Sequence, residues 1–308
     1  MRIINIDDNE YPERLRNIYS PPKTLYVKGT LPQIDEFPIV GIVGTRKCTP
    51  YGISAAERVS RELSQSGILV TTGMALGVDA AAAKGALQGR SPVIGVVATG
   101  VDIEYPVRNR SLYAEILDNG GAIISEFPPG TLPLKHHFPL RNRIISGISL
   151  GVAVIEAPKK SGALITAARA LEQGRDVFSL PGNVDAVTNE GSNALLREGA
   201  IPFMSADDII DEYIGLYPDK ITALNSSSEK KPIDNTSKVD YIDLGNLLDE
   251  LEGDEKKIVG SIGRKSVLID DIIAETGFPS QKVMASLTML ELGGYIHSNN
   301  NGFWETTV

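Results

Sequence analysis

One pattern governs what this chain can fold into: a short apolar run, a loop built on glycine, a helix-forming stretch, and then the same again. PIVGIVGTRKCTPYGISAAERVSRELSQSG reads as a strand, a glycine-bearing loop over residues 44–52 and a helix ending at Gly67. ILVTTGMALGVDAAAAKGAL repeats it with an alanine-rich helix, and PVIGVVATGVD leads to a further helix from about Val107 to Asn119. Further apolar runs follow at GAIISEF, GVAVIEA, RDVFSLPG and AIPFM. Strands alternating with helices at this spacing predict an α/β fold with an extended Rossmann-like parallel sheet covered on both faces. In such sheets a ligand lies beyond the carboxyl ends of the strands. Residues 44–47, Gly73 with the rest of 73–77, 100–102 and the Ser161–Gly162 turn are therefore expected on one rim. Glycine loops opening helices suit anions, because backbone N–H groups approach closely and the helix terminus adds partial positive charge. The glycines at 41 and 44 do not make GxGxxG, and GxxxxGK[ST] is absent. No cofactor is expected.

The stretch KHHFPLRNRIISG, residues 135–147, supplies the chemistry for that rim. It carries Lys135, His136, His137, Arg141 and Arg143 without a carboxylate. Pro139 suits a first helical turn, and Leu140, Ile144 and Ile145 can face a core. Its cations then sit at a loop-to-helix junction beside Phe138, and with Arg46 they form one groove. Phosphates on Arg and Lys with a base on an aromatic ring is what a single-stranded nucleic acid needs. The competing fate of Arg141 and Arg143 is an internal salt bridge to Glu126 or Glu156. Residues two apart on a helix face different ways.

Length and composition set the frame. The 308 residues suggest about two domains, and 42% hydrophobic content can fill a core in both. No apolar run approaches the ~20 residues of a membrane span, and the acidic start MRIINIDDNEYPERL lacks signal-peptide character, so a cytoplasmic protein is expected. Cys48 with His136, His137 and His297 assembles neither a disulfide nor a Cys/His zinc site. The net charge of −9 argues against a general nucleic-acid coat, so any binding has to be local. From 131 to 175 seven Lys and Arg face only Glu156 and Glu172, whereas from 240 to 308 twelve Asp and Glu face five Lys and Arg.

The domain reading is a short N-terminal extension over 1–37 with one strand at LYVKG, the sheet domain over 38–217, a polar serine-rich linker over 218–239, and a small α+β winged-helix domain over 240–308. The last has helical patterns at DEKKIVGSI, LIDDIIAETG and SQKVMASLTMLELGG and a two-strand wing in YIHSNNNGFWETT. Its third helix carries only Lys282, so protein contact is expected there rather than duplex binding. Phe303 and Trp304 are read as core beneath the wing.

Eight motifs in order, YPERLRNIYSPPKTLYVKG, IVGTRKCTPYG, GVDAAA, YPVRNRSLY, SEFPPGTLP, FPLRNRIISGIS, EAPKKSGALITAARALEQGRDVFSLPG and GSNALLREGA, resemble the DNA-processing protein A (Smf) family from about Tyr11 to Asp211. The resemblance implies a homodimer that binds and protects incoming single-stranded DNA in natural transformation and loads the RecA recombinase, without catalysis. It places the DNA-contacting loop on Gly44, Thr45 and Arg46, with Thr45 where serine is usual. The lysine and aromatic pair falls on Lys135 and Phe138, followed by Arg141, Asn142 and Arg143, and the serine-glycine turn on Ser161 and Gly162. The family's GLARGIDxxAH is GMALGVDAAAA here, so its arginine is Leu76 and its histidine Ala83, and one cation of the groove is missing. The helical domain that often begins family members resembles nothing in this chain.

Two other readings compete. A nucleotide-binding or nucleotide-hydrolysing enzyme of the lysine-decarboxylase-like group shares this type of sheet, yet its PGGxGTxxE motif is SGALITAARALEQG here and the matching glutamate is absent. Glu156 and Asp79 remain its candidate acids. In the third reading the winged helix is the main functional part and the sheet a scaffold.

Overall fold

The computed structural model describes residues 1–224, 251, 253–262, 267–292, 295–298 and 303–306. They divide into two compact units, Met1–Ser226 and Ser227–Val308. The first is built on one nine-stranded sheet in the order β1-β2-β6-β5-β4-β3-β7-β8-β9. β3 (Ile39–Val43), β4 (Leu69–Thr72), β5 (Ile94–Val96), β6 (Ala122–Ser125), β7 (Gly151–Val154), β8 (Asp176–Ser179) and β9 (Ile201–Pro202) lie within the apolar runs and pair in parallel. The chain builds outward from β3 to β6, then returns to lay β7 on the other side of β3. That reversal is the switch point at which open α/β sheets place ligands.

Both faces are covered, as near-continuous apolar strands require. One core packs the sheet against α2 (Pro50–Ser66), α3 (Val78–Leu87), α4 (Arg110–Asp118) and α8 (Ala206–Tyr213), through residues such as Val59, Leu63, Ala82, Ile116 and Ile209. The other uses α1 (Glu13–Arg16), α5 (His137–Ile148), α6 (Gly162–Glu172) and α7 (Glu190–Arg197), through Leu15, Ile144, Ile148, Ala167 and Leu195. Each fully buried Leu or Ile contributes about 1.5–3 kcal/mol. α2 starts where Thr49 accepts the Gly52 N–H at 3.1 Å with Pro50 behind it, and stops at Gly67, whose φ of 99° is left-handed. The alanines of α3 matter because α2 lies very close: a Cβ at Gly85 would sit 2.1 Å from the Glu57 carbonyl oxygen.

Residues 1–37 are more than an extension. β1 (Arg2–Asn5) pairs antiparallel with β2 (Thr24–Gly29), and β2 pairs antiparallel with β6, so this segment forms one edge of the sheet. Ile4, Tyr11, Leu15, Leu25 and Val27 are buried in the second core, and the Tyr11 hydroxyl donates to the Pro22 carbonyl at 2.7 Å. Only alternate positions of β2 point inward, and paired prolines precede it, so the segment lacks the continuous apolar run of a central strand. A parallel sheet is the right description from β6 to β9 alone.

In the second unit, α9 (Gly253–Ile262), α10 (Ile269–Thr276) and α11 (Ser280–Leu292) surround a core of Ile258, Val259, Ile272, Val283, Leu287 and Leu290. β10 (Val267–Leu268), β11 (Ile296–Ser298) and β12 (Phe303–Thr306) form a three-stranded sheet with β12 in the centre. Three helices and this sheet are the winged-helix arrangement. Trp304 packs against the core. The polar stretch read as a linker lies outside the described residues from 225 to 239, as do the Asn-rich tip of the wing and the side chain of Phe303. Among the described residues no helix is long and apolar enough to cross a membrane.

Candidate nucleic-acid interface

At the switch point the loops after β3 and β7 open a cleft of about 470 Å³, whose walls include Gly44, Thr45, Arg46, Phe138, Asn142, Ser161 and Gly162. The first loop is held by Thr45. Its N–H donates to the Glu156 carbonyl at 2.7 Å, its carbonyl accepts the Val78 N–H at 3.2 Å, and its hydroxyl accepts the Lys47 N–H at 3.2 Å. Thr45 is thus turned inward while Arg46 and Lys47 stand exposed. Gly44 has no room for a side chain, since its Cβ would lie 2.6 Å from Cγ2 of Val78.

On the opposite wall α5 shows what the basic stretch does. Lys135 and His136 are exposed, and Phe138 is half-buried with the Arg46 guanidinium 5.0 Å above its ring centroid. Tyr105 lies tilted against Phe138, with ring centroids 6.0 Å apart. His137 is buried, stacked on Phe127 at 4.0 Å with Nδ1 3.2 Å from the Ala98 carbonyl oxygen. Leu140, expected in the core, is exposed.

The two arginines of α5 do not reach the rim as free cations. Arg141 is 4% exposed. Its Nη1 donates to the Gly73 carbonyl at 2.7 Å and to the Val96 carbonyl, joining the ends of β4 and β5. Burial pushes its pKa down to about 10, opposed by the carboxylate of Asp79, so it remains a cation at neutral pH. Gly73 is glycine because these charges meet over it: a Cβ there would lie 2.6 Å from Nη2 of Arg141 and 2.7 Å from Oδ2 of Asp79. Its role is clearance. Arg143 faces the other way and makes the ion pair with Glu126 that was its alternative fate, Nη1 to Oε1 at 2.6 Å and Nη2 to Oε2 at 2.7 Å, with Nε donating to the Ser20 carbonyl. It ties α5 to the N-terminal segment. Asn142 bridges: Oδ1 accepts from Arg141 Nε at 3.3 Å and Nδ2 donates to the Gly162 carbonyl at 3.2 Å.

That last bond fixes the Ser161–Gly162 turn, where Ser161 caps α6 by accepting the Ala163 N–H at 3.2 Å. Lys159 and Lys160, just before it, are exposed. Lys160 lines the cleft together with Lys47, which the sequence reading had placed on the rim; Lys160 and Tyr105 are the groups that it did not single out, although EAPKKSG placed the lysine next to the turn. Asn109 was also missed. It is buried, and its Nδ2 donates to the carbonyls of Met74 and Ala75 at 2.9 and 3.1 Å, holding the second glycine loop. Leu76 on that loop is half-buried and lines a small pocket with Arg46, Tyr105 and Phe138.

Both candidate acids are engaged. Asp79 is buried, accepts the Ala75 N–H at 3.4 Å, and has its pKa raised by burial against the pull of Arg141. Glu156 is fully buried and accepts from the Thr49 N–H at 2.9 Å and hydroxyl at 2.6 Å. Arg46, Lys47, Lys135, Lys159 and Lys160 have no ion pair with any carboxylate of the described residues. The outcome is a cleft whose internal charges are compensated and whose rim is cationic.

A family model described as DNA recombination-mediator protein A matches residues 2–214. The chain belongs to this family, the DprA or Smf proteins. A second model, the DprA winged helix domain, matches residues 246–302. The DNA processing protein DprA of Streptococcus pneumoniae is 41% identical over 209 residues, 68% of this chain and 73% of that protein. Protein Smf of Synechocystis is 36% identical, covering 94% of this chain and 76% of its own length. Among solved structures, S. pneumoniae DprA superposes with a TM-score of 0.65 over 68% of this chain and 74% of that one, at 40% identity. Helicobacter pylori DprA, in a structure described as giving insight into its unique single-stranded DNA binding mode, superposes with a TM-score of 0.63 at 29% identity, over 70% of this chain and 97% of that one.

Proposed function

We propose that this DprA-family protein binds single-stranded DNA along the rim of the switch-point cleft, without catalysis and without a cofactor. The observation that carries the reading is the cationic wall of the cleft: Arg46, Lys47 and Lys160 are exposed and unpaired by any described carboxylate, the Arg46 guanidinium lies over the half-buried ring of Phe138, and exposed Lys135 comes three residues before that ring in the chain. Arg46, Lys47, Lys135, Lys159 and Lys160 take phosphates, and Phe138 takes a base when Arg46 leaves its face. Thr45, Ser161 and the glycines at 44 and 162 let the backbone come close. Arg141, Asn142, Arg143 and Gly73 serve the site by fixing the loops. Because phosphate contacts do not read sequence, affinity is general and salt-dependent.

Membership of the family supports the finer role: a cytoplasmic homodimer that protects incoming single strands during natural transformation and loads RecA onto them. The winged-helix unit fits protein contact better than duplex. Lys282, the one cation of α11, is held by Asp254 at 2.5 Å and sits over the Phe278 ring, while Met284 and Met289 on the same helix are exposed. A fluorescence-anisotropy titration of a labelled oligo-dT with duplex competitor tests the core of the proposal. Tight, salt-sensitive binding that duplex cannot displace is expected; no binding at low salt sinks it.

A further inference from the structure

A second cleft, of about 440 Å³, is lined by Thr49, Tyr51, Glu156 and Asn189, and Thr188 is a wall of both clefts. Its lining residues include buried polar atoms without a partner. Asn189 is 4% exposed, yet its side-chain oxygen has no partner, and the hydroxyl of Thr188 is buried with none either. Buried polar groups without partners are rare and unfavourable. The position of Asn189 is also built: a Cβ on Gly182 would lie 2.2 Å from its Cγ, so the amide packs directly on a glycine. Next to it the buried Glu156 uses one lone pair of each oxygen on Thr49 and keeps the others. At the mouth stands Tyr51, 54% exposed, an aromatic face to stack on.

A carboxylate and an amide oxygen want a ligand that presents N–H donors on a flat ring. We infer that this cleft takes a nucleobase carrying an exocyclic amino group, such as cytosine or adenine, in preference to thymine. The amine donates to Glu156 or Asn189 Oδ1, and the adjacent ring nitrogen accepts from the Asn189 amide or the Thr188 hydroxyl, the pairing Asn makes with adenine in other settings. Thymine puts a carbonyl where the amine belongs and faces the carboxylate with a lone pair. Because the clefts share Thr188, the base belongs to the strand lying on the rim. The inference rests on the DNA-binding reading above and adds base preference to it.

Oligo-dC and oligo-dT of equal length, titrated into the full chain by anisotropy, test it together with CMP alone. The wild type is expected to favour dC by about tenfold, the scale of one bidentate base contact. Asn189→Ala brings the ratio to unity and leaves dT affinity unchanged; Thr188→Val, which keeps shape, narrows the ratio. A dC preference in the oligonucleotide assigns the base to the bound strand, whereas CMP binding that Asn189→Ala abolishes, without oligonucleotide preference, assigns the cleft to a free nucleotide. Equal dC and dT affinities with no CMP binding, or a preference that survives in both variants, overturn the inference. Intact dT binding in that case leaves the rim proposal standing, and loss of all DNA binding removes the rim proposal instead.

Discussion

The rim of the sheet unit and the third helix of the winged-helix unit both carry a cation over an aromatic ring, yet they differ in what surrounds it. Lys282 is paired with Asp254 and laid over Phe278, so its charge is spent inside its own unit. Arg46 also lies over a ring, that of Phe138, but meets no described carboxylate in an ion pair. Nor does Lys135. A cation marks a binding surface only where its own protein leaves it unpaired. The same distinction divides α5, where exposed Lys135 precedes the helix while Arg141 and Arg143 are used within the fold.

The sharpest way to break this contrast is through Arg141. Arg141→Ala strands two carbonyls and leaves the Asp79 carboxylate buried without its counter-ion, and is expected to lower the stability of the sheet unit by about 3–5 kcal/mol in chemical denaturation. The loss depends on pH with a definite sign. Asp79 is already raised by burial, and removing Arg141 raises it further, so the folded variant holds its proton to higher pH than the unfolded chain does. The deficit relative to wild type is therefore smaller at pH 5 than at pH 8. If Arg141 were a rim cation instead, its loss would weaken DNA binding and leave stability nearly intact.

Phe138→Ala removes the stacking face and is expected to weaken oligo-dT binding by about 1–3 kcal/mol with an unchanged salt slope. Its ring is only half-buried, so the thermal midpoint should move little. Arg46→Ala and Lys135→Ala each remove one phosphate contact; affinity falls for every sequence alike, and the salt slope drops by about one per residue. Lys282→Ala is the smallest change. It loses a half-exposed ion pair, costs about 1 kcal/mol or less, and leaves oligo-dT affinity where it was. A fall in that affinity would erase the distinction between the two units.

The sequence made the sheet legible because its central strands are buried on both faces and read as continuous apolar runs, with glycine directly after β3 and β4. It hid the N-terminal edge, since β2 alternates and sits beside prolines that read as breakers. It also hid the direction of arginines. Lys135, Phe138, Arg141 and Arg143 lie within nine residues, but which of them meet solvent depends on Gly73, Val96 and Glu126, all distant along the chain. Helical geometry foretold that Arg141 and Arg143 part company, and Glu126 was a named partner for one of them. Nothing local told Arg141 that two strand ends and a buried aspartate await it. Lys160 was visible as a charge; only the fold of β7 into α6 sets it on the same cleft as Arg46 and Lys47.

The most direct test of the central claim is the salt dependence of oligo-dT binding for the wild type and the Arg46→Ala/Lys135→Ala double variant. The account predicts a linear fall of log affinity with log salt, and a slope shallower by about two in the double variant. Identical slopes and affinities for the two proteins would contradict it.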